Sequence, residues 1–272
     1  MATINDEYVI GHTTSELLRI DQQAKLLEPA TRAIMQVAGL RPGMRVLDVG
    51  TGLGDAALTA AELVGPDGQV VGVDRDAEAL SQARERARAR GLDNVRFEQG
   101  EAGEWDTGGQ FDAVVGRLVL VFCKDPARVV RHHAASLRPG GLYLAMEWDY
   151  LTARADPFCP TVYRTVALMA AAVRHAGMDP ALGARLDGVL DEAGITETEA
   201  LGFRPFTTTK DGAKALTGLV STMLPLMEHS GLVDSPDFGL ETLRHRIAAE
   251  VAEANATFVL PTLVGAWGRT AR

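Results

Sequence analysis

The sequence predicts a doubly wound α/β protein built on a seven-stranded, mostly parallel sheet. Three observations carry that reading. Short apolar runs alternate with helical stretches from Arg45 to Trp148, the first run opens into a glycine-rich turn, and the second ends in an acid 20 residues beyond that turn's last glycine. Runs this short and continuously apolar suit strands covered on both faces. With 272 residues, 46% of them hydrophobic and 23% charged, the chain is long enough to bury such a sheet and too apolar to be disordered.

The elements follow in order. An amphipathic helix is expected over Thr14–Gly39, capped by Thr14 or Ser15, with Leu17, Leu18, Ile20, Leu26, Leu27, Ile34 and Val37 along one side. Pro29 is expected to kink or split it, because proline removes an internal hydrogen bond. After an Arg41-Pro42-Gly43 turn come strands at Arg45–Val49, Gln69–Val73, Val95–Gln99, Phe111–Arg117 and Gly141–Trp148. Helices at Ala56–Leu63, Ala77–Arg90 and Pro126–Leu137 separate them. His132 and His133 fall on the last of these, read as a surface helix, and receive no function.

Beyond Trp148 the alternation stops. Helices are expected over Thr161–Ala176, Ala181–Ala193, Asp211–His229 and Gly239–Ala254, with a strand at Thr198–Phe206 and a last apolar segment at Thr257–Trp267. The chain thus divides into a lid segment and helix at 1–40, a core at 41–150, and 151–272 completing the sheet. Helical cap insertions at about 158–180 and 210–254 would sit over the carboxyl ends of the strands, where open α/β sheets bind ligands.

Composition narrows the function. Lys plus Arg number 27 against 36 Asp plus Glu, a net charge of −9 that disfavours nucleic acid and anionic membrane surfaces. Two cysteines, Cys123 and Cys159, without CxxC spacing, speak against a thiolate metal site or an arsenic site built from several thiols, and no metal is expected. The N-terminus has neither a basic n-region nor an apolar h-region, and the apolar stretch Ala215–Met227 is too short to span a bilayer, so a soluble, cytoplasmic protein is expected.

The chemistry concentrates at Val46-Leu47-Asp48-Val49-Gly50-Thr51-Gly52-Leu53-Gly54-Asp55. Here a strand runs into three alternating glycines, which let the backbone turn sharply and approach a ligand closely. Asp74 ends the second strand at the spacing of a carboxylate that grips ribose hydroxyls. A dinucleotide turn would place its third glycine at position 55, where this chain has Asp55. An acid there can cap the helix N–H groups and would repel a pyrophosphate. The ligand therefore has a ribose and no phosphate, and Asp48 suits one that carries positive charge.

These residues resemble the class I S-adenosylmethionine-dependent methyltransferases, over roughly Arg41–Trp148, and in detail the actinobacterial small-molecule, secondary-metabolite enzymes. The resemblance implies a Rossmann-like methyltransferase fold, with S-adenosylmethionine as cofactor and S-adenosylhomocysteine as product. It implies that Gly50, Thr51, Gly52 and Gly54 wrap the methionine part with Asp48 beside them, and that Asp74, followed by Arg75, holds the ribose. Gly100-Glu101-Ala102 stands where the family has Gly-Asp-Ala facing the adenine. Arg117 lies at the turn after the fourth strand, between cofactor and substrate. Tyr8-Val9-Ile10-Gly11-His12 and the Arg19-to-Gln22 helix resemble an N-terminal piece that closes over the cofactor.

For the acceptor side the candidates are Tyr8, His12, Glu147, Trp148, Tyr163, His175 and His229, with His229, Tyr8, His12 and Glu147 as catalytic groups. Glu147 and Trp148 are placed at the rim of the fifth strand, where the one could instead solvate a loop and the other pack core. Met223 and Met227, one helical turn apart, either line the substrate or belong to the core. The Asn- or Asp-Pro-Pro-aromatic tetrad of amino-methylating DNA enzymes is replaced by Gly116-Arg117-Leu118-Val119, which leaves a small-molecule acceptor. The apolar, methionine-containing cap suits a hydrophobic or aromatic metabolite, and a monomer or homodimer is expected. O-, N- and C-methylation stay open. So do a quinone-biosynthesis C-methyltransferase and a methyltransferase-fold protein that cyclises or only senses its ligand.

Overall fold

A computed structural model describes residues 14–105, 110–206, 209–233 and 239–271. Helix α1 (Thr14–Ala38) leads into β1 (Arg45–Val49), α2 (Asp55–Val64), β2 (Gln69–Asp74), α3 (Ala77–Ala89), β3 (Val95–Gln99) and β4 (Phe111–Arg117). Then follow α4 (Pro126–Ala134), β5 (Leu137–Asp149), β6 (Arg154–Asp156), α5 (Pro160–His175), α6 (Leu186–Glu192) and β7 (Thr196–Phe203). Helices α7 (Thr209–His229) and α8 (Leu240–Glu253) precede β8 (Thr257–Val259) and β9 (Thr262–Arg269).

The seven-stranded sheet has the order β3-β2-β1-β4-β5-β9-β7. Strands β1 to β5 pair in parallel, while β9 runs antiparallel between β5 and β7. The order reverses at β1, so the crevice between the loops after β1 and β4 is the topological switch point where such sheets bind ligands. Apolar side chains leave both faces. One layer joins Ile34 and Met35 of α1, Leu58 of α2 and Leu80 of α3 to Val46, Val115 and Leu144 of the strands. The other joins Val129 and Val130 of α4 and Leu186 and Leu190 of α6 to Leu47, Val114 and Tyr143. This is the double covering that the continuous apolar runs require.

A third core lies beyond the carboxyl end of β5. Val162 and Met169 of α5, Leu216, Val220 and Met227 of α7, Leu243 and Ile247 of α8, and Phe258 of β8 are buried together. The β6–β8 ladder ties this body to the points where the chain leaves β5 and enters β9. Tyr150 packs against both this core and the α1–α3 layer, which seats the late helices on the sheet's carboxyl edge.

Several expectations need correction. Helix α1 is not split at Pro29, because Leu27 and Ala30, Ile34 and Met35 bury into one core on either side of it and tertiary packing outweighs the missing bond. Strand β5 begins at Leu137, which pairs with Phe111 before a register shift, so α4 stops at Ala134. The helix expected at Ala181–Ala193 divides into a 3-10 turn, Leu182–Arg185, and α6. Gly183 lies so close to β5 that a Cβ there would meet the Glu147 carbonyl oxygen at 2.7 Å. The final apolar segment is two strands, and β6 was not anticipated. His133 is buried, with its ring against the Val129 carbonyl, and burial followed by the neighbouring His132 lowers its pKa to about 4. Among the described residues, no helix is long and apolar enough to cross a membrane.

Candidate functional site

Strand β1 delivers Asp48 and Val49 to the carboxyl edge, where the chain turns through Gly50, Thr51, Gly52, Leu53 and Gly54 into α2. At Gly50 (φ +67°) a Cβ would stand 2.5 Å from Val119 Cγ2, so the glycine is needed for close packing against the loop after β4. At Gly52 (φ +51°) a Cβ would meet nothing within 4 Å, and this part of the turn faces open space. The Thr51 amide donates to the Val73 carbonyl (3.0 Å), which stitches the turn to β2.

Asp74, the last residue of β2, locks this arrangement. Its Oδ2 accepts the Gly52 amide at 2.8 Å and its Oδ1 the Asp76 amide at 3.0 Å. A carboxylate has about four lone-pair sites, so each oxygen keeps capacity for a hydroxyl donor. Asp76 in turn caps α3 by accepting the Glu78 and Ala79 amides at 2.8 and 3.2 Å. The end of β3 joins the same rim, because the Gly100 amide donates to the Asp74 carbonyl at 2.9 Å and Trp105 packs over Gly100. Glu101 is exposed beside it, and Ala102 is buried.

Asp48 is fully buried. Its Oδ2 accepts the Thr51 hydroxyl at 2.6 Å, whereas Oδ1 has no hydrogen-bond partner. Burial raises its pKa to about 7, against the opposing pull of the Thr51 hydroxyl and then of Arg117. An orphaned buried carboxylate oxygen costs about 1–3 kcal/mol unless a donor arrives. A bound ligand with cationic character would relieve it.

Asp55 departs from the expected role. The N-cap of α2 is Gly54, without a side-chain cap, and the Asp55 carboxylate pairs with Arg86 at 2.6 Å and lies 3.6 Å from Arg117. Arg117 also donates to the Thr31 hydroxyl at 3.0 Å, so it ties α1 to the start of α2 and is engaged within the protein.

The acceptor-side candidates scatter. Glu147 is within β5, buried, with its carboxyl turned to the backbone of the loop after β4, and is no solvated rim acid. Trp148 is also within β5 and packs in the α1–α3 layer, its indole N–H without a partner. Met223 and Met227 are buried in the third core. Tyr163 is half exposed and stacks on the exposed Phe158, ring centroids 4.6 Å apart. His175 and His229 are exposed at the last turns of α5 and α7. Arg75 follows Asp74 on the rim, its carbonyl accepting Gln99 Nε2 at 2.9 Å. Tyr8 and His12 lie outside the described residues, as does the Gln22 side chain.

Two features went unread in the sequence. One is the Asp76 cap, for which an acid just before an Ala-Glu-Ala-Leu helix start was a usable signal. The other is the 3-10 turn Leu120–Phe122, which follows Leu118 at φ +57° and carries no local sequence signature.

Known proteins resemble this chain over the same region. A family model described as "Methyltransferase domain" matches residues 40–194. Arsenite methyltransferase of Halobacterium salinarum is 38% identical over 105 residues, 38% of this chain and 27% of that protein. Nocamycin O-methyltransferase of Saccharothrix syringae is 33% identical over 118 residues, 43% of this chain and 42% of its own. The ubiquinone/menaquinone biosynthesis C-methyltransferase UbiE of Pseudomonas entomophila is 34% identical over 120 residues, 43% and 47% of the two chains. This chain thus spans less than half the length of these curated relatives.

Among solved structures, Haemonchus contortus phosphoethanolamine N-methyltransferase 2, in complex with phosphomonomethylethanolamine and S-adenosylhomocysteine, aligns with a TM-score of 0.55 at 17% identity, over 90% of this chain and 53% of that one. The cyclase SpnF aligns at 0.50 and 21%, over 90% and 80%. At these identities the likeness is one of fold. The family match spans the glycine turn, Asp74 and the crevice between the β1 and β4 loops, and the chain belongs to the methyltransferase domain family, the S-adenosylmethionine-dependent class I methyltransferases.

Proposed function

We propose that this protein methylates a small, hydrophobic or aromatic metabolite, with its own Gly50–Gly54 turn, Asp48 and Asp74 holding S-adenosylmethionine. The observation that carries the reading is the pairing of Asp74 with the Gly52 amide (2.8 Å), beside open space over Gly52 and an unpartnered Asp48 oxygen. Bound S-adenosylmethionine supplies a methyl group on a sulfonium, already a good leaving group. The bond from sulfur to methyl breaks as the bond from acceptor to methyl forms, and sulfur keeps the electron pair as S-adenosylhomocysteine.

The residues would act by placement. Asp74 would accept ribose hydroxyls, and Asp48 would offset cationic charge beneath the glycine turn. Alignment of the two reactants can lower a barrier by about 7–11 kcal/mol, so a base is required only for an acceptor that must lose a proton. The third core, α5, α7 and α8 over the carboxyl edge, would form the acceptor's cover. Its apolar character favours an apolar acceptor over a sugar. The match to nocamycin O-methyltransferase supports a secondary metabolite. Comparable identity to UbiE supports the second reading, C-methylation of a quinone precursor.

The test is label transfer from methyl-labelled S-adenosylmethionine into fractionated small-molecule extracts, followed by mass. The expected result is a labelled small product. Saturable cofactor binding with no transfer to any fraction, including quinone precursors, would favour the cyclising or ligand-sensing reading.

A further inference from the structure

Glu147 is a buried carboxyl that the proposed chemistry does not use. It lies near the carboxyl end of β5, 1% exposed, and its Oε1 accepts the amides of Leu120 at 2.7 Å and Val121 at 3.4 Å. These amides open the 3-10 turn after β4. Two residues earlier, Leu118 is left-handed at φ +57°, a conformation that L-residues avoid, and its amide donates to the Met146 carbonyl at 2.8 Å. The turn is therefore tied to β5 by two successive residues, through the Met146 backbone and the Glu147 side chain.

Val119 lies between the two ties. It is buried, its Cγ2 stands 2.5 Å from where a Cβ on Gly50 would be, and its Cγ1 stands 3.1 Å from the same point on Gly116. Neither glycine offers a side chain to hold Val119, which packs in the second apolar layer and is placed by the backbone ties on either side. A shift of the turn by a few tenths of an ångström would either press on Gly50 or leave it unsupported.

We propose that Glu147 is a positioning residue, which holds the 118–122 turn so that Val119 supports Gly50 and thereby keeps the glycine turn in its ligand-binding shape. The inference rests on the reading of that turn as the cofactor site. Burial raises the Glu147 pKa to about 8, opposed first by the Leu120 amide and then by those of Val121 and Val119. The titratable groups that feel its charge are the Cys123 thiol beyond the turn, Tyr143 on β5 itself, and Tyr150 after it; burial raises all three. Its partners are the backbone amides of the turn.

The experiment compares wild type, Glu147→Gln and Glu147→Met. Glutamine keeps an acceptor oxygen at the same reach; methionine keeps the length and loses the acceptor. Amide exchange is measured without ligand, and binding of S-adenosylhomocysteine by calorimetry. In Glu147→Met, exchange at Leu120 and Val121 should accelerate by about tenfold or more while Val115 and Ala145 stay protected, and affinity should fall by about tenfold. Glu147→Gln should restore both to within about threefold. Unchanged protection at Leu120 and Val121 in Glu147→Met would show that the carboxyl does not hold the turn. Lost protection with wild-type affinity would show that the turn does not support the site. Wild type that binds no S-adenosylhomocysteine would remove the cofactor reading and the coupling with it, while exchange still reports on the hold itself.

Discussion

Gly50 and Gly52 share a backbone conformation and differ in what surrounds them, so alanine at each should fail in a different way. Both have left-handed φ, +67° and +51°, which costs alanine about 1–2 kcal/mol in either place. At Gly50 the new methyl would also stand 2.5 Å from Val119 Cγ2 and 2.8 Å from its Cβ. Relieving such a clash in a packed core costs about 1–3 kcal/mol more. Gly50→Ala should therefore lose about 2–5 kcal/mol, which for a chain of this size lowers the melting temperature by about 10 °C. At Gly52 nothing stands within 4 Å, so only the backbone term applies and the drop should be about 4 °C. The Gly52 methyl would instead occupy ligand space and weaken S-adenosylhomocysteine binding by about ten- to a hundredfold. Thermal unfolding without ligand and calorimetric titration with it separate the two. Wild-type affinity in Gly52→Ala would refute the assignment of that open face to the ligand, and equal melting of the two variants would refute the packing argument.

Two further outcomes follow from burial. Asp48 and Glu147 keep their protons in the folded state up to about pH 7 and 8, whereas in the unfolded chain both ionise near the ordinary carboxyl range, so stability falls as pH rises through that window. His133, held near pKa 4 when folded, acts in the opposite sense and makes stability rise with pH up to about 6.5. Urea denaturation should show a loss of about 2 kcal/mol from pH 6.5 to 8, reduced in Asp48→Asn; a flat profile over that range would contradict the burial argument. Met227→Ala, at 0% exposure in the third core, should cost about 2–5 kcal/mol in the same assay. Lost turnover at unchanged stability would mean that Met227 lines the acceptor site after all.

The sequence made the cofactor side legible because that side is built from short-range chemistry. Three alternating glycines and an acid at a fixed offset are local, and the structure joins them through the Gly52–Asp74 hydrogen bond. The parallel core was readable for the same reason, since the burial of β1, β2 and β4 on two faces is written in their own residues. What was misread depends on distant partners. Nothing around Glu147 or Trp148 says that their strand pairs with β9, which returns more than a hundred residues later. His133 read as a surface residue because its burial is supplied by packing far along the chain. Asp55 was assigned to its own helix, while its partners Arg86 and Arg117 come from α3 and β4.

The central claim is that Asp74 and the glycine turn hold the methyl donor, and the most direct measurement is calorimetric titration of S-adenosylmethionine into wild type and Asp74→Ala. The account predicts saturable binding of one molecule per chain. In the variant, affinity should fall by more than about tenfold, because the ribose acceptor and the anchor of the Gly52 amide are lost together. A dissociation constant that is unchanged in Asp74→Ala would contradict it.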